Sequence, residues 1–382
     1  MKELPGQTRA ETNGTEPRPS RESATAAAEG PARAPDLRSF IHTLEKAGRL
    51  VRVQERVDWK LGVGRRTRAT RKPLLFENVE DYPGQRVLTN GLADPICIGI
   101  ALGVDPETPY RKLIADVSRR LATPVPPKLV TTGPVLENIV PASELDLLCL
   151  PVPQWSESDA GRYLGTWHLN ISEDPGTGRR NAGVYRMQLL GPRRATISAS
   201  KGSDLARHVA NAEAKNAALP MAVAIGAPEA AVMAAGGACP AGMDEFDLAG
   251  ALQQKPLQVI ACGNLQVPAS SEIVIEGFIH PGIRVQDGPY LDYYGRANTN
   301  PNAFLFEATL MMHRTHPIFR GSAIGQAGAE DHQLFAFLAQ LKLVDFHGSR
   351  LKQKVQNFLW KRRAFSAVQL AGRLGSTLKR LS

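Results

Sequence analysis

The sequence contains no run of about 18 apolar residues, so no membrane-spanning helix is predicted. Cysteine is scarce and scattered. Cys97, Cys149, Cys239 and Cys262 form no C-x-x-C pair, which argues against a structural zinc site or a disulfide framework and fits a reducing cytoplasm. The eight histidines show neither H-x-H nor H-E-x-x-H spacing, which disfavours a zinc enzyme. Fingerprints of the G-x-S-x-G, Walker and Rossmann kinds are missing too. Residues 1–35 lack the apolar segment of a secretory signal, and their five glutamates argue against an acid-poor transit peptide. They read as a disordered extension or linker. Acids are also missing from residues 346–382, where nine lysines and arginines account for the whole net charge of +9. A nucleic-acid-binding body would spread such charge over a face, so no nucleic-acid partner is expected. The tail interleaves Val355, Phe358, Leu359, Trp360 and Phe365 with its cations. It reads as a solvated or docked terminal helix, with an amphipathic helix binding an anionic surface as the alternative.

What is present suits a globular protein: 382 residues, 43% hydrophobic and 22% charged, enough for two or three domains. Residues 36–52 read as a helix, with Asp36 as N-cap, Leu37, Phe40, Ile41 and Leu44 at helical spacing, and Gly48 as C-cap. Strands are expected at 50–57 and 73–79 and a helix at 108–121, which makes 36–128 an N-terminal α/β domain. Between 129 and 330 the chain is rich in short strands (165–172, 181–190, 195–200, 221–227, 257–263, 271–279 and 304–314), with one helix over 204–217. Many short strands with hairpin signals predict a β-barrel or sandwich rather than a βαβ array. Residues 331–382 turn helical and then basic.

Three constellations could carry chemistry. In N-x-G-x-Y-R at 181–186, strand alternation puts Asn181, Gly183 and Tyr185 on one face and Ala182, Val184 and Arg186 on the other. An arginine among apolar residues needs an anion, which could be a substrate carboxylate, a phosphate or a protein acid. In PAGMDEFDLAG at 240–250, Asp244, Glu245 and Asp247 are hard oxygen ligands for Mg²⁺ or Mn²⁺, or else first-turn acids of a helix. In QDGPYLDYYG at 286–295, Asp287 and Asp292 flank a Gly-Pro turn crowded by Tyr290, Tyr293 and Tyr294. Carboxyls in such a pocket can serve as proton donors, and the competing reading is a solvated turn with aromatic packing.

In order along the chain, DLRSFIHTLEKAGRLVRV, LLFENV, LDLLCLPVPQW, RRNAGVYRMQLLG, LPMAVAIGAPEAAVMAA, MDEFDLAGAL, VPASSEIVIEGFI and DGPYLDYYG resemble the UbiD family of decarboxylases, from about residue 36 to 335. The resemblance implies a mixed α+β / α/β fold. An N-terminal α/β region would lead into a flavin-reductase-like split β-barrel, with the usual C-terminal α/β domain largely missing and the basic segment in its place. It implies prenylated FMN together with Mn²⁺ or Mg²⁺, K⁺ being a further candidate. Asn181 and Glu245 match the metal ligands, and Val184, Tyr185, Arg186, Ser203 and Asp204 join them along the cofactor. Asp204 stands where some members carry a third metal-site histidine, with His208 four residues on. Arg186, Asp287 and Asp292 match the catalytic set, with Asp292 as proton donor and Arg186 orienting the carboxylate. Both acids are Asp where the first is commonly Glu, and Leu291 stands where the family has Gly, which would reshape the turn or narrow the pocket. The implied activity is non-oxidative decarboxylation of an aromatic or α,β-unsaturated carboxylic acid by a cytoplasmic homo-oligomer, with a flavin prenyltransferase supplying the cofactor. The alternatives are a truncated or degenerate homologue that binds flavin or a partner without turnover, and a flavin-binding oxidoreductase on the same barrel.

Overall fold

The computed structural model describes residues 35–239, 243–326 and 328–344, so the expectations for the N-terminal extension before Pro35 and for the basic tail lie outside the described residues. Asp36 caps the first helix as its position predicts, accepting a hydrogen bond from Ser39 N–H at 2.8 Å. Leu37, Phe40, Ile41 and Leu44 form the buried stripe of that helix, Leu37–Lys46. It ends well short of residue 52, and Gly48 follows in the left-handed region at φ 64°.

Val51–Val53 pairs in parallel with Leu74–Phe76, which pairs antiparallel with Arg86–Thr89. The fourth strand of this sheet comes from far along the chain: Ile318–Arg320 lies parallel to Arg86–Thr89. Arg320 there is buried between two glutamates, Glu229 and Glu330, so the sheet is tied to two helices, Glu229–Ala235 and Glu330–Gln340.

The larger sheet is antiparallel and has the order Arg194–Ile197, Ala297–His313, Ile273–Leu291, Leu219–Ile225, His168–Glu173 and Arg180–Gly183, with Asn138–Pro141 pairing on the end of Ala297–His313. Its central strand, Leu219–Ile225, is buried along most of its length, as its unbroken apolar run MAVAI requires. The sheet curls into a half-barrel. Arg180–Gly183 lies on one edge, while Arg186 and Leu189, only a few residues on, bridge to Ser198 and Ala195 beside the opposite edge strand. One short segment therefore spans the opening between the two edges, and it is the segment that carries Asn181 and Arg186.

Candidate active site

The alternation expected over 181–190 is interrupted. The strand stops at Gly183, and the Tyr185 ring folds back over it so closely that any Cβ at 183 would come within 2.5 Å of the ring. Only glycine permits this approach. Tyr185 N–H donates to the Asn170 side-chain oxygen at 3.0 Å. Past the break, Val184 and Arg186 still share a face, because both line the same cavity. Tyr185 turns away, and burial raises its hydroxyl pKa.

The anion facing Arg186 is a protein acid. Nε and Nη2 both lie 2.5 Å from Asp287 Oδ1, and Thr196 Oγ1 donates to Oδ2 at 2.5 Å. Asp287 is fully buried, so the pair holds a fixed guanidinium at the cavity wall. Nη2 also donates to the Asn298 carbonyl at 3.3 Å, and the guanidinium carbon stands 5.3 Å from the Tyr290 ring centroid.

The Gly-Pro pair does not turn the chain. The strand Ile273–Leu291 runs through Gly288–Pro289, and the reversal comes at 292–296, where Asp292 N–H donates to Arg296 O and Gly295 N–H to Asp292 O, both at 2.8 Å. Asp287 therefore belongs to a strand and Asp292 to a hairpin turn. Asp292 Oδ1 accepts the N–H groups of Tyr294 (2.8 Å) and Arg296 (3.0 Å), and the side chain faces the cavity. Leu291 packs toward Gly325, so its bulk falls beside the turn rather than among the groups facing the cavity.

That cavity encloses about 370 Å³. Arg186, Asp292, Tyr290 and Ser198 supply polar wall, and Trp167, Val232, Leu334 and Phe335 supply apolar wall. Asp331 also lines it, and sequence reasoning missed this residue. The pair Glu330–Asp331 looks like helix-start charge, and Glu330 is in fact bound to Arg320. Helical spacing nevertheless puts Asp331 on one stripe with Leu334 and Phe335, and an acid on an apolar stripe is a legible signal.

Burial pushes the Asp331 carboxyl up to about 7. The folded chain then keeps a proton that the unfolded chain releases between 3.8 and about 7. This group's contribution to stability is therefore full below the lower value and is lost as pH rises to the upper one. Asp331→Asn, which cannot ionise, is expected to gain stability relative to the parent protein across that window and to hold a constant advantage above it. Thermal melts at about pH 4, 6 and 8 check this; a difference that does not vary with pH would contradict it.

A second cluster forms where the helix Glu245–Gln253 begins. Asp244 and Asp247 make a capping box, with Asp244 accepting from Phe246 and Asp247 N–H and Asp247 accepting from Asp244 N–H. These two acids serve the helix. Glu245 reaches across to the strand, where its Oε2 accepts Ala182 N–H at 3.1 Å beside Asn181. Burial raises the Glu245 pKa, and Asp244 and Asp204 add to the rise while backbone donors oppose it. Asn181 is buried, and its Nδ2 has no hydrogen-bond partner among the described residues. Asp204 opens the helix Asp204–Glu213, paired with Arg207, and Ser203 caps it through Ala206 N–H at 3.3 Å. His208 faces Ser172 Oγ through Nδ1 at 3.0 Å.

Among the described residues no three His, Cys, Asp or Glu side chains converge as a metal cage. Asn181 Oδ1 and the Glu245 carboxylate are the two oxygens there that suit a hard cation, and the orphaned Asn181 Nδ2 is a donor that suits an adjacent anion such as phosphate.

Residues 128–327 match the family model for the 3-octaprenyl-4-hydroxybenzoate carboxy-lyase Rift-related domain, and 41–117 match that for its N-terminal domain. Among solved structures, an evolved dimeric form of the UbiD-class enzyme HmfF from Pelotomaculum thermopropionicum, in complex with prFMN, is 30% identical with a TM-score of 0.74, over 80% of this chain and 71% of that one. Vanillic acid decarboxylase from Sedimentibacter hydroxybenzoicus, in closed form, is 29% identical with a TM-score of 0.76, over 80% and 67%. The 3,4-dihydroxybenzoic acid decarboxylase from Enterobacter cloacae is 24% identical with a TM-score of 0.72 over 81% and 68%, a likeness of fold. Matched over its N-terminal region and over the curled sheet that bears Arg186 and Asp287, the chain belongs to the UbiD family of carboxy-lyases.

Proposed function

We propose that the chain catalyses non-oxidative decarboxylation of an aromatic or α,β-unsaturated carboxylic acid with prenylated FMN. The observation that carries this reading is that Arg186 and Asp292 face one cavity while, on the same short segment as Arg186, Glu245 accepts the N–H of Ala182, the residue next to Asn181. In this reading Asn181 and Glu245 hold Mn²⁺ or Mg²⁺, with K⁺ as a further candidate, at the flavin phosphate. In that role the Asn181 and Glu245 oxygens would meet the cation, while the orphaned Asn181 Nδ2 would donate to the phosphate. Val184, Tyr185, Ser203 and Asp204 follow the flavin along a barrel of the split, flavin-reductase type. When bound, the prenylated flavin supplies the electron sink for the pair left behind by the departing carbon dioxide.

The protein's own part is positioning and proton transfer. Asp287, held by Thr196 and buried, keeps the Arg186 guanidinium from swinging, so its charge is presented to the substrate carboxylate from a fixed position. The apolar wall excludes water from the reacting carbon. Asp292 sits in a turn tied by its own backbone bonds and gives a proton to the carbon that lost its carboxylate. The net change is RCO₂H to RH and CO₂. A flavin prenyltransferase as cofactor supplier and a homo-oligomeric state complete the reading.

The test is co-expression with a flavin prenyltransferase, followed by absorbance and carbon dioxide measurements on a panel of aromatic and cinnamic-type acids. Near-ultraviolet and visible absorbance together with gas release is the expected result. A colourless protein overturns the cofactor reading, and a coloured protein that releases no carbon dioxide from any acid leaves a flavin-binding homologue without turnover.

A further inference from the structure

The hairpin that carries Asp292 holds itself together, but its own bonds do not place it over the cavity. Leu291 pairs with Ala297 and Tyr290 with Asn298, and the turn closes through Asp292 N–H to Arg296 O, so these pairings all lie within the hairpin. Its position depends on ties to other elements. At the tip, His332 Nε2 lies 2.8 Å from Tyr293 O. At the base, three bonds tie 288–291 to other segments. Gly288 N–H donates to Gln188 Oε1 at 3.0 Å, Ala160 N–H to Pro289 O at 2.7 Å, and Leu291 N–H to Asp159 Oδ1 at 3.0 Å. The Asp159 carboxylate does for Leu291, the last residue before Asp292, what the carbonyl of a neighbouring strand would do.

Asp159 is suited to hold rather than to react. It is only 5% exposed, and it is not among the residues that line the cavity. Its second oxygen accepts Ser156 N–H at 2.8 Å, so both carboxylate oxygens are engaged, and Gln154 Nε2 donates to its carbonyl at 2.9 Å. The loop 153–160 is anchored in turn by the helix Gly62–Ala69. Arg68 Nη1 donates to Trp155 O, and Gly64 packs so closely on that carbonyl that there is no room for a Cβ. Burial raises the Asp159 pKa, and the N–H groups of Leu291 and Ser156 oppose the rise.

We propose that Asp159 is a positioning residue for the proton donor: by fixing Leu291 N–H from behind the cavity wall, it sets where Asp292 stands relative to Arg186 and the reacting carbon. A single tie matters here because about 1 Å of misplacement can cost about a hundredfold in rate. Substrate binding falls to Arg186 and the apolar wall, so the loss on removing Asp159 belongs to kcat rather than KM. The inference rests on the decarboxylase reading above and adds to it a residue outside the cavity.

The test uses the cofactor-loaded protein and the acid it turns over best. Asp159→Ala is expected to lower kcat by about tenfold to a hundredfold, with KM within about threefold of the parent and the cofactor absorbance unchanged. Asp159→Asn keeps one acceptor oxygen for two N–H groups, so its loss should be smaller, and it decides the matter where Asp159→Ala fails to fold. A double-mutant cycle separates positioning from a general structural role. With Asp292→Asn already present, removing the Asp159 carboxylate should cost less than about threefold, because the group it positions is gone. Equal costs in the two backgrounds, or parent-like kcat in both Asp159 variants, overturn the proposal while decarboxylation stands. Amide exchange read by mass spectrometry is independent of turnover: peptides covering 288–296 should exchange faster in Asp159→Ala, and those covering 165–172 should not. If the parent protein releases carbon dioxide from no acid, the decarboxylase reading falls, and the exchange result alone decides whether Asp159 holds this strand. Unchanged exchange at 288–296 overturns the hold.

Discussion

Asp292→Asn is expected to lower carbon dioxide release by about 10²–10⁴-fold while the bound cofactor's absorbance is unchanged, the span attributed to a positioned general acid. The substitution is close to isosteric. An asparagine oxygen can still accept the Tyr294 and Arg296 N–H groups that shape the 292–296 turn, so the hairpin should persist. What disappears is an oxygen able to carry and release a proton. In the proposed function Arg186 rather than Asp292 holds the carboxylate, so KM for the acid should move little. Steady-state kinetics together with the absorbance spectrum separates these effects. Turnover within a fewfold of the parent would remove Asp292 as donor and transfer the role to Asp331, the other acid facing the cavity.

Arg320→Leu is expected to destabilise the protein by about 3–5 kcal/mol, because it leaves two buried carboxylates without their cation. Arg320 Nε donates to Glu229 Oε1 at 2.7 Å, Nη1 to Glu330 Oε2 at 3.1 Å and to Gly321 O at 2.9 Å, and Nη2 to Glu330 Oε1. Trp167 Nε1 donates to Glu229 Oε2 at 3.1 Å and Leu92 N–H to Glu330 Oε1 at 2.6 Å, so both acids are held as acceptors. Burial pushes the Glu229 pKa up and the Arg320 charge opposes it, so removing the arginine leaves the cost of burying that carboxylate largely unopposed. The network joins the first sheet to the helix that carries Asp331 and to Trp167 of the cavity wall. The variant should therefore lose cavity order along with stability. A melt lowered by roughly 4–8 °C, or an equivalent shift in urea midpoint, is the expected readout. A loss under about 1 kcal/mol would show that the glutamates find other partners or stay protonated at little cost.

Several features were legible in the sequence because they depend on contacts within a few residues. Asp36 and Asp244 are caps, and the Asp244–Asp247 box lies wholly within PAGMDEFDLAG. The buried stripe of Leu37–Lys46 follows from apolar spacing alone, and the run MAVAI, expected as a strand, is a strand buried along its length. Where local expectation failed, a longer-range contact had intervened. Tyr185 folded onto Gly183 and ended the strand, and pairing with Ala297–His313 carried Ile273–Leu291 straight through the Gly-Pro pair. The family phrases marked Asn181, Glu245, Arg186, Asp287 and Asp292, but not which of them meet.

The sequence by itself determined many of the strands and helices, the Asp36 cap, the family resemblance and the roster of charged residues able to do chemistry, because short-range sterics and hydrogen bonding are written residue by residue. Tertiary structure decided that Arg186 directs its charge at Asp287, 101 positions away, and that Ile318–Arg320 completes a sheet begun near residue 51. It also decided that Asp331 lies buried in the cavity wall with an oxygen that has no partner among the described residues. The reason is physical. A side chain's partner, its dielectric surroundings and hence its proton affinity are set by what the whole chain packs around it, and no stretch of neighbours along the sequence contains that information.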